Sequence, residues 1–358
     1  LFDQLLSPQV RDAPFGSLYE WRPDNLPFAL GRRLARQGGA ALVIVLLLVA
    51  TLSFVMLSIT TTVTTGVRRG ANERLRTEML WQAHAAERIA LSVLERAAAG
   101  GALKTASTEG GLFKQQLALP LERGEAALRF ADASRCFNVN SLVAQSAPFA
   151  KVQAQYDELV RLLEAIGAGG SEAQAIADAV TDFLDEDSST ESQGSEDSFY
   201  TGLTTPYRTA GGPIASISEL RAIEGITAEI YARISPYLCA REAGQKIEIN
   251  LNALTPEDAP VIFALEGVNW PLDQIRARIA ETPPSGWPDS ATFWSASPGG
   301  APPAGTTTGV EPTWIEARLL LEAEQRFVEE TLIIAVPASG TGGGGKPKLY
   351  SRVLGGGS

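Results

Sequence analysis

Histidine and cysteine are nearly absent from this chain, with 1 His and 2 Cys among 358 residues. So few leave little for a zinc site of imidazole and thiolate ligands or for a Ser-His-Asp triad. Any resident metal is therefore expected to be a hard cation held by carboxylates and carbonyls. Positive charge is also short: 30 Lys and Arg stand against 41 Asp and Glu, a net charge of −11. That balance argues against a nucleic-acid-binding surface. Charge of either sign is missing altogether from Gln37 to Val67.

The uncharged run is built around Ala41-Leu-Val-Ile-Val-Leu-Leu-Leu-Val-Ala50. At about 1.5 Å per residue it is long enough to cross a hydrocarbon layer of roughly 30 Å. It is read as a transmembrane helix over residues 40–65. A buried core helix of a soluble protein is the alternative, which a run this long and uniformly apolar fits poorly. Arg32, Arg33 and Arg36 precede it, so the positive-inside rule puts the N-terminus in the cytoplasm and the main domain in the periplasm. A cleaved signal peptide needs a small-x-small site after the apolar run, and Ser58 to Thr65 is weak for that. Arg36-Gln-Gly-Gly39 before Ala40-Ala-Leu-Val-Ile offers another boundary: basic residues, a glycine, then a helix that stays.

That layout resembles the start of a type IV pilin-like protein, in which prepilin peptidase cuts after the glycine. The resemblance implies a cytoplasmic leader over 1–39, a cut after Gly39 and Ala40 as the mature N-terminus. Such proteins carry a Glu at the fifth mature position, thought to pair with the terminal amine of a neighbouring subunit. Here that position is Ile44. A subunit lacking the carboxylate cannot make that pairing with one ahead of it, which is tolerable at the tip of a fibre.

Downstream, Leu75, Met79, Leu80, Ala83, Ala86, Ile89, Ala90 and Val93 recur at three- and four-residue steps. They predict an amphipathic continuation of the helix, ended by Gly100-Gly101. His84, at the edge of the apolar face, is read as a packing residue. Ala126 to Ala131 reads as a strand. Two phrases then match each other: Cys136-Phe-Asn-Val-Asn-Ser-Leu142 and Lys246-Ile-Glu-Ile-Asn-Leu-Asn-Ala-Leu254. Each reads as a short strand running into a helix, with Asn140 and Asn252 as caps. The two are expected to be neighbouring strands of one sheet. That arrangement brings Cys136 and Cys239 near each other and favours a disulfide in an oxidising compartment; a free buried pair is the alternative.

The segment 148–240 between the phrases is read as a helical insertion. Val152 to Ile166 is an amphipathic helix, a further helix opens at Ser171 and runs to Leu184, and Ser216 to Tyr237 gives two short helices about Gly225. The last pair resembles a helix-hairpin-helix, which elsewhere grips DNA phosphates. Glu219, Glu224 and Glu229 surround the turn and would repel phosphate, so it is read as structural. Further helices are expected to about Leu265 and from Asp273 to Ile279. An exposed loop follows from Pro283 to Pro312, then a hairpin of Trp314–Ala323 and Gln325–Val336, a last strand over Leu349–Leu354, and a linker-like tail at 355–358.

The densest chemistry is the acidic run from Asp182 to Asp197. Carboxylates at near-alternating positions among Gly and Ser can wrap a hard cation, and repel one another without one. A solvated acidic loop is the plain alternative. The surrounding words are specific: Asp182-Phe-Leu-Asp185-Glu-Asp187, Gly194-Ser-Glu196-Asp197-Ser-Phe-Tyr200, Pro206-Tyr-Arg208, and Ser216-Ile-Ser-Glu-Leu-Arg221 through Gly225. Together with the two Asn-containing strands they resemble the GspK family, the largest minor pseudopilins of type II secretion, from Arg36 to about Leu354. Departures are Phe183 where the family usually has Trp, Ser195 where Ala is common, and a longer leader.

The resemblance implies an α+β fold: a long N-terminal helix, half transmembrane and half amphipathic, packed on a small antiparallel sheet with a large helical insertion. Residues 66–147 and 241–354 would form the two parts of the pseudopilin domain. It also implies structural calcium, with Asp185, Asp187, Glu196 and Asp197 as ligands and Asp182 close behind. Expected partners are the minor pseudopilins GspI and GspJ, other pseudopilus subunits, prepilin peptidase and the inner membrane, and not nucleic acid. The implied role is to start assembly and cap the pseudopilus, with no catalytic constellation beside the calcium loop. Two rival readings are a membrane-anchored periplasmic hydrolase using the acidic cluster and a helix-hairpin-helix DNA-binding protein.

Overall fold

A computed structural model describes residues 38–108, 110–120, 124–266, 269–323, 326–337 and 345–355. The expected leader up to residue 37, with Arg32, Arg33 and Arg36, and the tail residues 356–358 lie outside them. In chain order the helices are α1 (Gly38–Ala99), α2 (Gln153–Ala165), α3 (Gly170–Leu184), α4 (Asp197–Tyr200), α5 (Ala228–Ile234), α6 (Ala259–Glu266), α7 (Leu272–Ala280) and α8 (Ser290–Trp294). The strands are β1 (Gln116–Pro120), β2 (Glu125–Asp132), β3 (Phe137–Asn138), β4 (Leu238–Cys239), β5 (Ile249–Asn250), β6 (Thr308–Gly309), β7 (Trp314–Ala323), β8 (Arg326–Ala335) and β9 (Lys348–Leu354).

The chain divides into two compact units at Arg74 and Leu75. In the first, the most apolar 18-residue window of α1 has a mean hydropathy of 2.9 and none of it is buried within the protein. Water is a poor solvent for so much exposed Leu, Val and Ile; lipid removes that cost. The hydroxyls in this stretch turn back on the helix, as in Thr60 to the Met56 carbonyl at 2.9 Å and Thr65 to the Thr61 carbonyl at 2.7 Å. These donors are thereby satisfied without leaving the helix.

The second unit holds a five-stranded sheet in the order β1-β2-β7-β8-β9, antiparallel throughout. Period-two alternation in β7 buries Ile315, Ala317, Leu319, Leu321 and Ala323, while Arg318 and Leu320 face out. The buried face meets Met79, Ala83, Ala86, Ala90 and Leu94 of α1, and the three alanines let the helix lie close on the sheet. The edge strand β9 is tied to this helix by Arg352, which pairs with Glu87 and, at 2.9 Å, with the buried Glu330 of β8. This is the expected long helix on a small antiparallel sheet. Strand β1 is an addition the sequence reading missed.

Strands β2 and β7 are adjacent, with Asp132 opposite Ile315. Everything from Ala133 to Thr313 is therefore an excursion from the sheet, wider than the 148–240 expected for the insertion. It has its own core, in which α2, α3 and α6 pack with the aromatic residues of α8. The stretch from Pro283 to Pro312 is not the exposed loop expected. Its α8 buries Phe293 and Trp294 completely, and Trp294 lies 5.6 Å from Trp270. Glycine and proline marked its turns, but three aromatics between them, Trp287, Phe293 and Trp294, supply enough apolar area to bind it down.

The two matching phrases are corrected in two respects. Their strands do not neighbour each other: β3 pairs in parallel with β4, and β5 with β6. Cys136 and Cys239 still meet, joined in a disulfide, because β4 itself lies beside β3. The caps also lie two residues earlier than expected. The Asn138 and Asn250 side chains accept from the amides of Asn140 and Asn252, and each phrase continues as a short 3-10 turn. Asn140 and Asn252 are thereby freed for another task. Asn140 accepts from the Ile214 amide at 2.9 Å and donates to the Ile214 and Arg241 carbonyls at 2.8 and 2.7 Å. Asn252 likewise holds the Trp287 amide at 2.6 Å and the Val310 carbonyl at 3.1 Å.

Candidate metal centre in the acidic loop

Helix α3 positions the site. Its apolar face buries Ala173, Ile176, Ala177, Val180 and Phe183, and one further stripe carries Asp178 and Asp182, one turn apart. These two carboxylates hold the acidic loop by its backbone. Asp178 accepts the Gln193 amide at 3.1 Å and the Tyr156 hydroxyl at 2.5 Å; Asp182 accepts the Glu191 amide at 3.1 Å and 3.2 Å through its two oxygens. Lys151 adds an ion pair to Glu191 at 2.8 Å. Gly194 is required by this packing, since a Cβ there would lie 2.0 Å from an Asp182 oxygen.

Within the loop so fixed, Asp185, Asp187 and Glu196 converge, each offering an oxygen within 4.8 Å of the others. Asp185 Oδ1 and Glu196 Oε1 are buried and have no hydrogen-bond partner. A carboxylate oxygen in that state costs free energy unless something satisfies it. Asp185 is pushed from its ordinary 3.8 up to about 7, by burial first and then by the charges of Asp187, Asp182, Glu196 and Glu191. Burial also raises Glu196, with the Asp182 charge next. Asp182 itself rises to about 6 through burial, against the pull of the Glu191 amide. Orphaned buried oxygens and mutually repelling carboxylates are what an oxygen-ligand cation would relieve, so the donor set fits calcium.

Two of the five expected ligands are engaged elsewhere. Both Asp182 oxygens serve the Glu191 amide. Asp197 heads α4 and is taken by the Thr209 amide at 2.9 Å, the Thr209 hydroxyl at 3.0 Å and Arg208 at 2.8 Å. These contacts, the Thr209 amide foremost, hold the Asp197 carboxyl below its ordinary range. Asp178 was missed as a site residue. Its four-residue spacing from Asp182 on one helix was the available signal.

The hairpin around Gly225 is a 3-10 turn over Ile217–Ala222 followed by α5. Glu219 is absorbed in a capping box, accepting the amides of Ala215 and Ser216 at 2.8 and 2.9 Å. Glu224 reaches the Ser195 hydroxyl of the acidic loop. The hairpin is thus part of the loop's support.

Among the described residues one helix is long and apolar enough to cross a membrane, and it continues as the helix on an antiparallel sheet, which defines a pilin-like, single-pass membrane-anchored subunit. Residues 135–243 match a family described as type II secretion system (T2SS), protein K. The chain is 32% identical over 256 residues to type II secretion system protein K of Pectobacterium carotovorum subsp. carotovorum, covering 71% of this chain and 77% of that one. It is 30% identical over 304 residues to the protein K of Aeromonas hydrophila, covering 80% and 89%. Its fold is similar, at a TM-score of 0.65 and 24% identity, to a chain in the crystal structure of the GspK-GspI-GspJ complex of enterotoxigenic Escherichia coli, covering 81% of this chain and 100% of that chain. The chain belongs to the type II secretion system protein K family, the minor pseudopilins of that machinery.

Proposed function

We propose that this minor pseudopilin is the tip subunit of the pseudopilus, assembled with GspI and GspJ through α1, and that it starts the fibre and caps it. The observation that carries the reading is the excursion between β2 and β7 on a pilin-like scaffold. So large a body would forbid a further subunit ahead. Ile44 supports the same placement, because a subunit with nothing ahead of it has no terminal amine to pair with. The membrane is the inner membrane, with the N-terminus cytoplasmic and the second unit periplasmic, where the Cys136–Cys239 disulfide is stable. Prepilin peptidase cuts after Gly39 and leaves Ala40.

Calcium belongs to the same proposal. Asp185, Asp187 and Glu196 would hold it, and Asp182 would order the loop from behind. The ion's contribution is structural: it neutralises the loop's charge and pins it to α3.

The test is the intact mass of the membrane-extracted chain from cells containing prepilin peptidase. A chain beginning at Ala40 that co-purifies with GspI and GspJ is the expected result. A chain that retains the residues before Ala40 sinks the assembly reading.

A further inference from the structure

Beside the acidic loop, α3 and α5 enclose a groove with a cavity volume of about 230 Å³. It is lined by the apolar side chains of Ala175, Ile176, Ala179 and Ile230, by the carboxylates Glu172 and Glu224, and by Gln193 of the acidic loop. The two carboxylates differ in their partners. Glu172 is paired with Arg233 of α5. The Glu224 carboxylate meets a neutral donor, the Ser195 hydroxyl, and among the described residues no Lys or Arg lies within ion-pair distance of it. The groove therefore combines apolar side chains with one uncompensated carboxylate, in a chain of net charge −11.

A long cationic side chain has the complementary form, an aliphatic stem with a charged head. We propose that this groove is a docking slot for a lysine or arginine side chain on an exposed segment of a secreted protein, its stem on the alanine and isoleucine side chains and its head at Glu224. The charge of Glu224 and the apolar lining select this occupant together: an acidic segment is repelled, and a purely aliphatic one leaves the carboxylate unmatched. All the lining residues belong to the excursion, and none to α1, through which the proposed assembly with GspI and GspJ runs. That favours cargo over a fellow subunit, and this step rests on the tip reading above.

The experiment uses the full chain in detergent micelles and a fluorescein-labelled peptide, Gly-Ser-Ala-Lys-Ala-Ser-Gly, with a norleucine counterpart, read by fluorescence polarisation. The lysine peptide is expected to bind about tenfold more tightly than the norleucine peptide. Ala175→Leu fills the groove without changing charge, and Glu224→Gln removes the anchor; each is expected to weaken binding by about fivefold or more. Ala175→Ser keeps the volume and should bind as the unsubstituted chain does, which separates plugging from misfolding. Equal binding by the Ala175→Leu chain means general attraction to an acidic surface and overturns the slot. In secreting cells, Ala175→Leu should lower cargo release while GspI and GspJ still co-purify; unchanged release overturns the cargo assignment. If the unsubstituted chain does not co-purify with them, the tip reading fails and takes the cargo assignment with it, whereas the peptide result still decides the slot.

Discussion

Asp185 closes α3 with a carboxyl that burial and four neighbouring acids hold near pH 7 rather than 3.8. With a chelator present, the folded chain keeps this proton up to about pH 7 while the unfolded chain has lost it near 3.8. Each rise in pH across that window therefore favours the unfolded chain. The melting temperature of the chelated protein should fall as pH climbs from about 4 to about 7, and Asp185→Asn should flatten that slope. Calcium should reverse the trend above about pH 7, stabilising the native chain by about 2.7 kcal/mol at roughly 100 times its dissociation constant and the Asp185→Asn chain far less. A calorimetric scan with and without calcium checks both. Gly194→Ala is expected to cost about 1–3 kcal/mol, because its Cβ would overlap the Asp182 carboxylate; urea denaturation measures it. At this scale the acidic run showed which residues could ligate. Which three converge was not legible, since Asp182 and Asp197 have the same chemistry as Asp185 and differ only in what the fold brings against them.

The elements of the excursion are short, and side chains rather than ladders join them. Asn140 is fully buried and supplies three hydrogen bonds to Ile214 and Arg241. Asn140→Ala would leave an amide and two carbonyls buried and unpaired, and is expected to destabilise by about 3 kcal/mol. Asn252→Ala, on a half-buried residue, should cost less. Thermal denaturation of the two variants ranks them. The disulfide closes a sequence separation of 103 residues. Its removal by Cys136→Ser with Cys239→Ser should cost about 2–5 kcal/mol, read from the urea midpoint. The repeated Asn-x-Asn phrase was visible as a repeat. Its partners were not, because a two-residue strand carries too little pattern to choose between neighbours, and parallel pairing across a long connection leaves no local turn signal.

On the scale of the whole molecule, the sheet and the excursion have separate cores. Because Asp132 and Ile315 face each other across β2 and β7, a short turn can replace 133–313. The shortened chain is expected to keep the packing of α1 on the sheet and the proposed cut after Gly39, and to lose the proposed restriction to the tip. Nuclear magnetic resonance of the shortened chain in micelles and the distribution of labelled subunits along the fibre test the two halves of that expectation.

The long periodic elements followed from the sequence alone. The uncharged run stood out by its length, the alanine-lined helix face and the β7–β8 hairpin each repeat a period over many residues, and the acidic loop announced itself by composition. The tertiary structure decided the rest: where the excursion begins and ends, which asparagines cap and which clamp, that α8 buries its two aromatic residues, and which carboxylates meet. These depend on contacts between residues far apart in the chain, whose free energy is gained only once the packing around them exists.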